Sequence, residues 1–166
     1  MPFRTLDDLP ADLKGRRALV RVDLNVPMDG AHVTDVTRLQ AAVPTIAGLA
    51  DRGARVLLLA HFGRPKGAAS DEYSLKKVVH ALSEVLGRPV GFLPDCVGDE
   101  VAAETRALED GSVTVLENTR YHPGEERNEP GFVAEMAKLG DLYVNDAFSA
   151  AHRAHASTEG LAHVLP

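Results

Sequence analysis

Val56-Leu57-Leu58-Leu59-Ala60 is an unbroken apolar run, and His61-Phe62-Gly63-Arg64-Pro65-Lys66 follows it directly. A run this short, with no alternating polar residue, suits a strand covered on both faces. Upstream, residues 35–51 place Val36, Leu39, Val43, Ile46 and Leu49 at helical spacing, with Thr34 or Asp35 as the cap. Pro44 inside this segment predicts a kink or an offset start, and Arg52-Gly53 ends the helix. Residues 17–22 read as an earlier strand, with Arg16 and Arg17 bordering it and facing solvent. Downstream, Ser74 caps a helix reaching about residue 86. Strands follow over 90–93, 113–116 and 142–144, with helices over 99–108 and 130–139 between them. The predicted fold is therefore α/β: a doubly wound, mostly parallel sheet with helices on both faces, a Rossmann-like three-layer sandwich.

The 166 residues suffice for one domain with a sizeable core, and 45% hydrophobic with 25% charged residues exclude a disordered chain. Trp is absent and aromatics are few, so Val, Leu, Ala and Ile must build that core. A net charge of -6 argues against a nucleic-acid binder, yet a few arginines in one cleft can still hold a small anion. The single cysteine, Cys96, excludes an intrachain disulfide framework. No apolar run approaches a membrane span and the first residues lack a secretory signal, so a cytoplasmic protein is expected.

Ligands of open parallel sheets bind beyond the carboxyl ends of the strands. Four predicted strand ends carry polar groups: Asp23 and Asn25 after the first, His61 and Arg64 after the next, then Glu117, Asn118, Arg120 and His122, and finally Asn145, Asp146 and Arg153. Arg38 lies in the first turn of the helix after the first loop. The planar fork of arginine matches phosphate and carboxylate, whereas Asp23 and Asn25 suit an alcohol. The implied ligand is small and carries a phosphate and a hydroxyl. Gly63 permits a tight turn that aims His61 and Arg64 inward. Other features have ordinary readings. Cys96 is a buried small apolar residue. Glu117, Glu125 and Glu126 are solvated or partner nearby arginines. His152 and His155 are structural, and no metal site is expected. Neither a Gly-x-x-x-x-Gly-Lys-Ser/Thr nor a Gly-x-Gly-x-x-Gly motif occurs.

Four segments together resemble phosphoglycerate kinase, in that family's order and spacing: Arg21-Val-Asp-Leu-Asn-Val-Pro27, Ala60-His-Phe-Gly-Arg-Pro65, Val115-Leu-Glu-Asn-Thr-Arg-Tyr-His122 with Glu125-Glu-Arg-Asn128, and Val144-Asn-Asp-Ala-Phe148 through Ala151-His-Arg-Ala-His-Ala-Ser157. Departures are small: Ala60, Phe62, Leu24 and Ser149-Ala150 stand where the family often has other residues, and none is a proposed ligand.

The resemblance implies that residues 1–166 are the amino-terminal substrate-binding domain, the nucleotide-binding carboxy-terminal domain being absent from this chain. It implies reversible phosphoryl transfer between 1,3-bisphosphoglycerate and ADP, giving 3-phosphoglycerate and ATP in glycolysis and gluconeogenesis. Asp23 and Asn25 would hold the substrate hydroxyl. His61, Arg64, Arg120 and Arg153 would grip the 3-phosphate, and Arg38 would serve the transferring phosphoryl group. Mg-ATP and Mg-ADP would be co-substrates bound in the other domain, so neither cofactor nor metal is assigned to this chain. The full-length protein would be a monomer, without nucleic-acid or membrane partners, and turnover by this chain alone is not expected. The alternative is a non-catalytic module that binds a phosphorylated metabolite.

Overall fold

The computed structural model describes residues 9–30, 32–63, 73–146 and 155–165. In chain order these form β1 (Arg17–Arg21), a short antiparallel hairpin of β2 (Met28–Asp29) and β3 (His32–Val33), α1 (Thr37–Asp51), β4 (Arg55–Leu59), α2 (Val79–Leu86), β5 (Gly91–Leu93), α3 (Asp99–Ala107), β6 (Val113–Leu116), α4 (Pro130–Ala137), β7 (Leu142–Asn145) and α5 (Leu161–Val164). Single turns of 3-10 helix precede α2 (Leu75–Val78) and follow β6 (Thr119–Tyr121), and a π-turn (Ala156–Gly160) leads into α5.

The sequence-derived elements recur with small shifts, and their ends have local causes. At α1 the cap position is Val36, which has no side-chain bond, but the Asp35 carboxylate one residue earlier accepts the Thr37 N–H at 2.9 Å. Pro44 sits inside α1, which continues past it to Asp51. Ser74 does cap, accepting from Lys76 N, but the turn it starts is 3-10 and becomes α-helical only at Val79. Gly87, at φ 70°, closes α2 in the left-handed conformation.

Among the described residues, five strands form a parallel sheet in the order β5-β6-β4-β1-β7. The pleat sends alternate residues to opposite cores. Ala18, Val20, Val56, Leu58, Val113 and Val115 pack with Leu39, Ile46 and Leu49 of α1 and Leu82 of α2. Leu19, Leu57, Leu59 and Leu116 pack on the other face with Val101 of α3, Phe132 and Met136 of α4, and Leu161 of α5. Both faces are covered, which explains why the strands read as apolar throughout. The chain leaves β1 for α1 on one face and leaves β7 for α5 on the other. The helices that follow these neighbouring strands therefore lie on opposite faces, the arrangement at which sheets of this kind bind ligands at the carboxyl edge.

At the opposite edge Arg17 is not the solvent-facing residue its position suggests. Its guanidinium and backbone N–H grip the Asp141 carboxylate at 2.9–3.3 Å, and the Asp141 N–H returns to Arg17 O at 2.7 Å, tying the starts of β1 and β7. Partial burial raises the Asp141 pKa, but the Arg17 hydrogen bonds and charge outweigh it, and the net shift is downward. A carboxyl with a depressed folded-state pKa contributes stability that is complete above its unfolded value of about 3.9 and is lost as pH falls through the folded value. Asp141→Asn should therefore cost about 1 kcal/mol near neutrality, and variant and parent should converge in acid. Urea denaturation at stepped pH checks this; a difference that stays constant down to the acid limit would count against it.

Candidate active site at the carboxyl edge of the sheet

The site is organised by Arg21, the last residue of β1, which is 1% exposed. A buried guanidinium needs every donor satisfied. Arg21 Nε donates to Ser157 Oγ (2.9 Å) and Nη1 donates to Val22 O (2.7 Å). Nη2 lies 2.7 Å from His61 Nδ1. Ser157 in turn binds Glu125 twice, its N–H reaching Oε1 at 2.7 Å and its hydroxyl reaching Oε2 at 2.6 Å. Burial lowers the Arg21 pKa, while the fully buried Glu125 carboxylate pushes it back up.

This arrangement fixes the state of His61. Arginine can only donate, so His61 Nδ1 is the acceptor and the neutral ring carries its proton on Nε2. The ring is thereby held with one N–H donor turned away from Arg21.

The loops after β4 and β6 are bound together by Glu117 and Asn118. Asn118 Nδ2 donates to Phe62 O (2.7 Å) and Tyr73 O (2.9 Å), while its Oδ1 accepts the Arg120 N–H at 3.0 Å. Glu117 accepts from Ser74 Oγ (2.6 Å) and from the N–H groups of Leu75 and Asn118 (2.9 Å each). Thr119 N–H donates to Ala60 O at 3.0 Å. The 3-10 turn at Thr119–Tyr121 thus holds Arg120, 7% exposed, with its Nε 3.8 Å from Glu126 Oε1. Arg120 also lies close enough to Arg21 for their charges to repel. Two largely buried cations at one edge make a place where an anion would be welcome.

After β1, Asp23 and Asn25 fold inward. Asp23 Oδ1 accepts the Asn25 N–H (3.1 Å), and Asn25 Oδ1 accepts the Gly63 N–H (3.2 Å), joining the loops after β1 and β4. Gly63 has φ 62°, and a Cβ there would fall 2.3 Å from the Tyr73 ring, so this turn requires glycine. Arg38, in the first turn of α1, donates to Asn25 O at 2.6 Å and lies 3.5 Å from Asp23 Oδ1, with its side chain 53% exposed.

The structure therefore gathers Asp23, Asn25, Arg38, His61 and Arg120 on the carboxyl edge. Arg64 and Arg153 lie outside the described residues, as do Lys66 and His152. Glu117 and Glu125 are buried, not solvated; Glu126 is exposed and paired with Arg120. Sequence reading gave no site role to Arg21, Glu117, Asn118, Glu125 or Ser157, which hold the ligand-facing groups in place. The usable signal was a charge set directly against an all-apolar strand, as at Arg21 and Glu117. Glu125→Ala should strand the Arg21 charge and the Ser157 N–H and cost about 3–5 kcal/mol, read by urea denaturation. A loss within 1 kcal/mol would mean that the network contributes little.

Comparison with known proteins agrees with this geometry. The sequence profile of the family "Phosphoglycerate kinase" matches residues 6–166. The phosphoglycerate kinase of Brucella melitensis is 66% identical over 166 residues, and that of Bradyrhizobium diazoefficiens is 63% identical over 164. These alignments cover 100% and 99% of this chain but 41% and 40% of the relatives, so the chain spans about two fifths of their length. The solved phosphoglycerate kinase of Coxiella burnetii superposes with a TM-score of 0.86 at 38% identity, covering 99% of this chain and 40% of that one. The structure from Pyrococcus horikoshii gives 0.86 at 32% identity, covering 97% and 40%. With the family profile matching nearly the whole chain and the fold superposing on solved members, the chain belongs to the phosphoglycerate kinase family.

Proposed function

We propose that this chain is the amino-terminal, substrate-binding part of a phosphoglycerate kinase and that it binds 3-phosphoglycerate at the carboxyl edge of its sheet. The observation that carries this reading is the convergence of His61, Arg120, Asp23, Asn25 and Arg38 from three separate loops and a helix start, with the buried Arg21 supporting them. His61 then donates Nε2–H to the 3-phosphate and Arg120 supplies paired N–H donors. Arg64 and Arg153 join them on the strength of the family resemblance. Asp23 accepts a hydrogen bond from the substrate hydroxyl, and Asn25 offers the amide nitrogen opposite the oxygen that holds Gly63.

The longer protein would transfer a phosphoryl group between 1,3-bisphosphoglycerate and ADP, with a cytoplasmic, glycolytic role. In the ATP-consuming direction the acceptor is a carboxylate, already ionised at neutral pH, so its oxygen attacks the γ-phosphorus and ADP leaves without a general base. The magnesium of the nucleotide would neutralise phosphate charge from the other part of the protein. This chain positions the acceptor and, through Arg38, offsets charge on the phosphoryl group in flight. Arg38 suits that task because it is the exposed member of the set, free to reach beyond the edge.

Calorimetric titration with 3-phosphoglycerate at two salt concentrations should give saturable binding that weakens with salt, and Arg120→Ala should weaken it at least tenfold. In the longer protein Arg38→Ala should lower kcat by about 10²–10³ with a smaller change in KM. Failure of both proteins to bind would overturn the ligand assignment. Binding without any ADP-dependent turnover in the longer protein would favour a non-catalytic metabolite-binding module.

A further inference from the structure

One cluster of metal-competent side chains stands apart from these phosphate-facing groups. Asp95 and Cys96 follow β5, and His122 follows the turn after β6. The parallel pairing of β5 and β6 sets those two loops side by side, although the residues lie 27 positions apart in sequence. One oxygen, one sulfur and one ring nitrogen from the three side chains all lie within 4.8 Å of one another. His122 Nε2 is 2.8 Å from Asp95 Oδ1, and the His122 ring stands against Phe132 with centroids 5.0 Å apart. The thiol is buried, whereas the Asp95 and His122 side chains are 43% and 30% exposed. Two of the three side chains therefore reach solvent, while the sulfur lies buried behind them.

We propose that Asp95, Cys96 and His122 form a site for one thiophilic divalent cation of the zinc class, with a water completing four-coordination on the open side. The donor set decides the class. A thiolate and an imidazole beside one carboxylate suit zinc or cobalt and do not suit magnesium or calcium, which take oxygen donors. Tetrahedral zinc would set its ligand atoms about 3.3–3.8 Å apart, so the 2.8 Å Asp95–His122 pair opens slightly and the sulfur closes in from within 4.8 Å. The surroundings favour a cation. The carboxylates of Asp95, Glu125 and Glu117 lie near the thiol, and their negative charge attracts a metal ion. Binding exchanges S–H for S–metal with release of one proton. The His122 ring moves its own proton from Nε2 to Nδ1 as the metal displaces the hydrogen bond to Asp95.

The test is a Co2+ titration of the reduced, metal-stripped protein. One equivalent should produce a thiolate-to-cobalt charge-transfer band and d–d bands of tetrahedral intensity, with about one proton released. Zn2+ should erase them and excess Mg2+ should not. Because the chain has a single cysteine, the charge-transfer band in the parent protein already reports Cys96. Cys96→Ser should abolish it, and His122→Asn, on a half-exposed ring, should weaken binding at least tenfold while leaving far-UV dichroism unchanged. If Cys96→Ser does not fold, the parent and His122→Asn titrations decide. A parent spectrum that stays that of hydrated Co2+, or a band that survives in His122→Asn with unchanged affinity, overturns the site.

Discussion

A guanidinium buried at the end of β1 sets the terms for this whole sheet edge. Arg21 cannot lose its proton and cannot reach bulk water, so the chain must bring it partners. They come from widely separated parts of the sequence: His61 after β4, Ser157 after β7, and Glu125 acting through the Ser157 hydroxyl. Tyr143 of β7 adds its hydroxyl to Ser157 O at 2.6 Å, so the same serine is held from both sides. One charge thereby fixes the mutual position of three loops that the divergent chain path would otherwise leave apart.

The network divides the edge into a fixed floor and a reaching arm. His61 and Arg120 are held by bonds to their own ring or backbone and need little reorganisation to meet an anion. Arg38 is tethered to Asn25 O yet largely exposed, so it can exchange that contact for a ligand at small cost. A group that acts only while charge is in transfer gains nothing from gripping the ground state. The contrast in burial between Arg120 and Arg38 therefore matches the contrast proposed for their roles.

Much of the fold was legible because its strands are doubly covered. Runs such as residues 56–60 and 113–116 have no polar face to confuse their reading, and the helices between them carry clear apolar stripes. What escaped was depth. A sequence names a glutamate but not how far it lies from water, so Glu117 and Glu125 read as solvated charges or as partners of nearby arginines. In fact each accepts bonds from buried or half-buried N–H and hydroxyl groups. The hairpin of Met28–Asp29 and His32–Val33 was invisible because two-residue strands have no period. Asp23, Asn25, Arg38, His61 and Arg120 were picked by type and by place after a strand or at a helix start, and they do lie on one edge. Their supports were missed because a supporting side chain has no chemistry distinguishing it from a solvated one.

The chain's charge bears on how such a site must work. At -6 overall, the distant field does not favour an approaching anion, and beyond about 8 Å salt screens what field there is. Attraction must arise at short range, from cations already stripped of water. Arg21 and Arg120 meet that condition, since both are nearly buried and each raises the cost of the other. Glu125, bridged through the Ser157 hydroxyl, offsets the Arg21 charge. Recognition then rests on the geometry of fixed donors, and a larger or more diffuse polyanion gains nothing from the surrounding acidic surface.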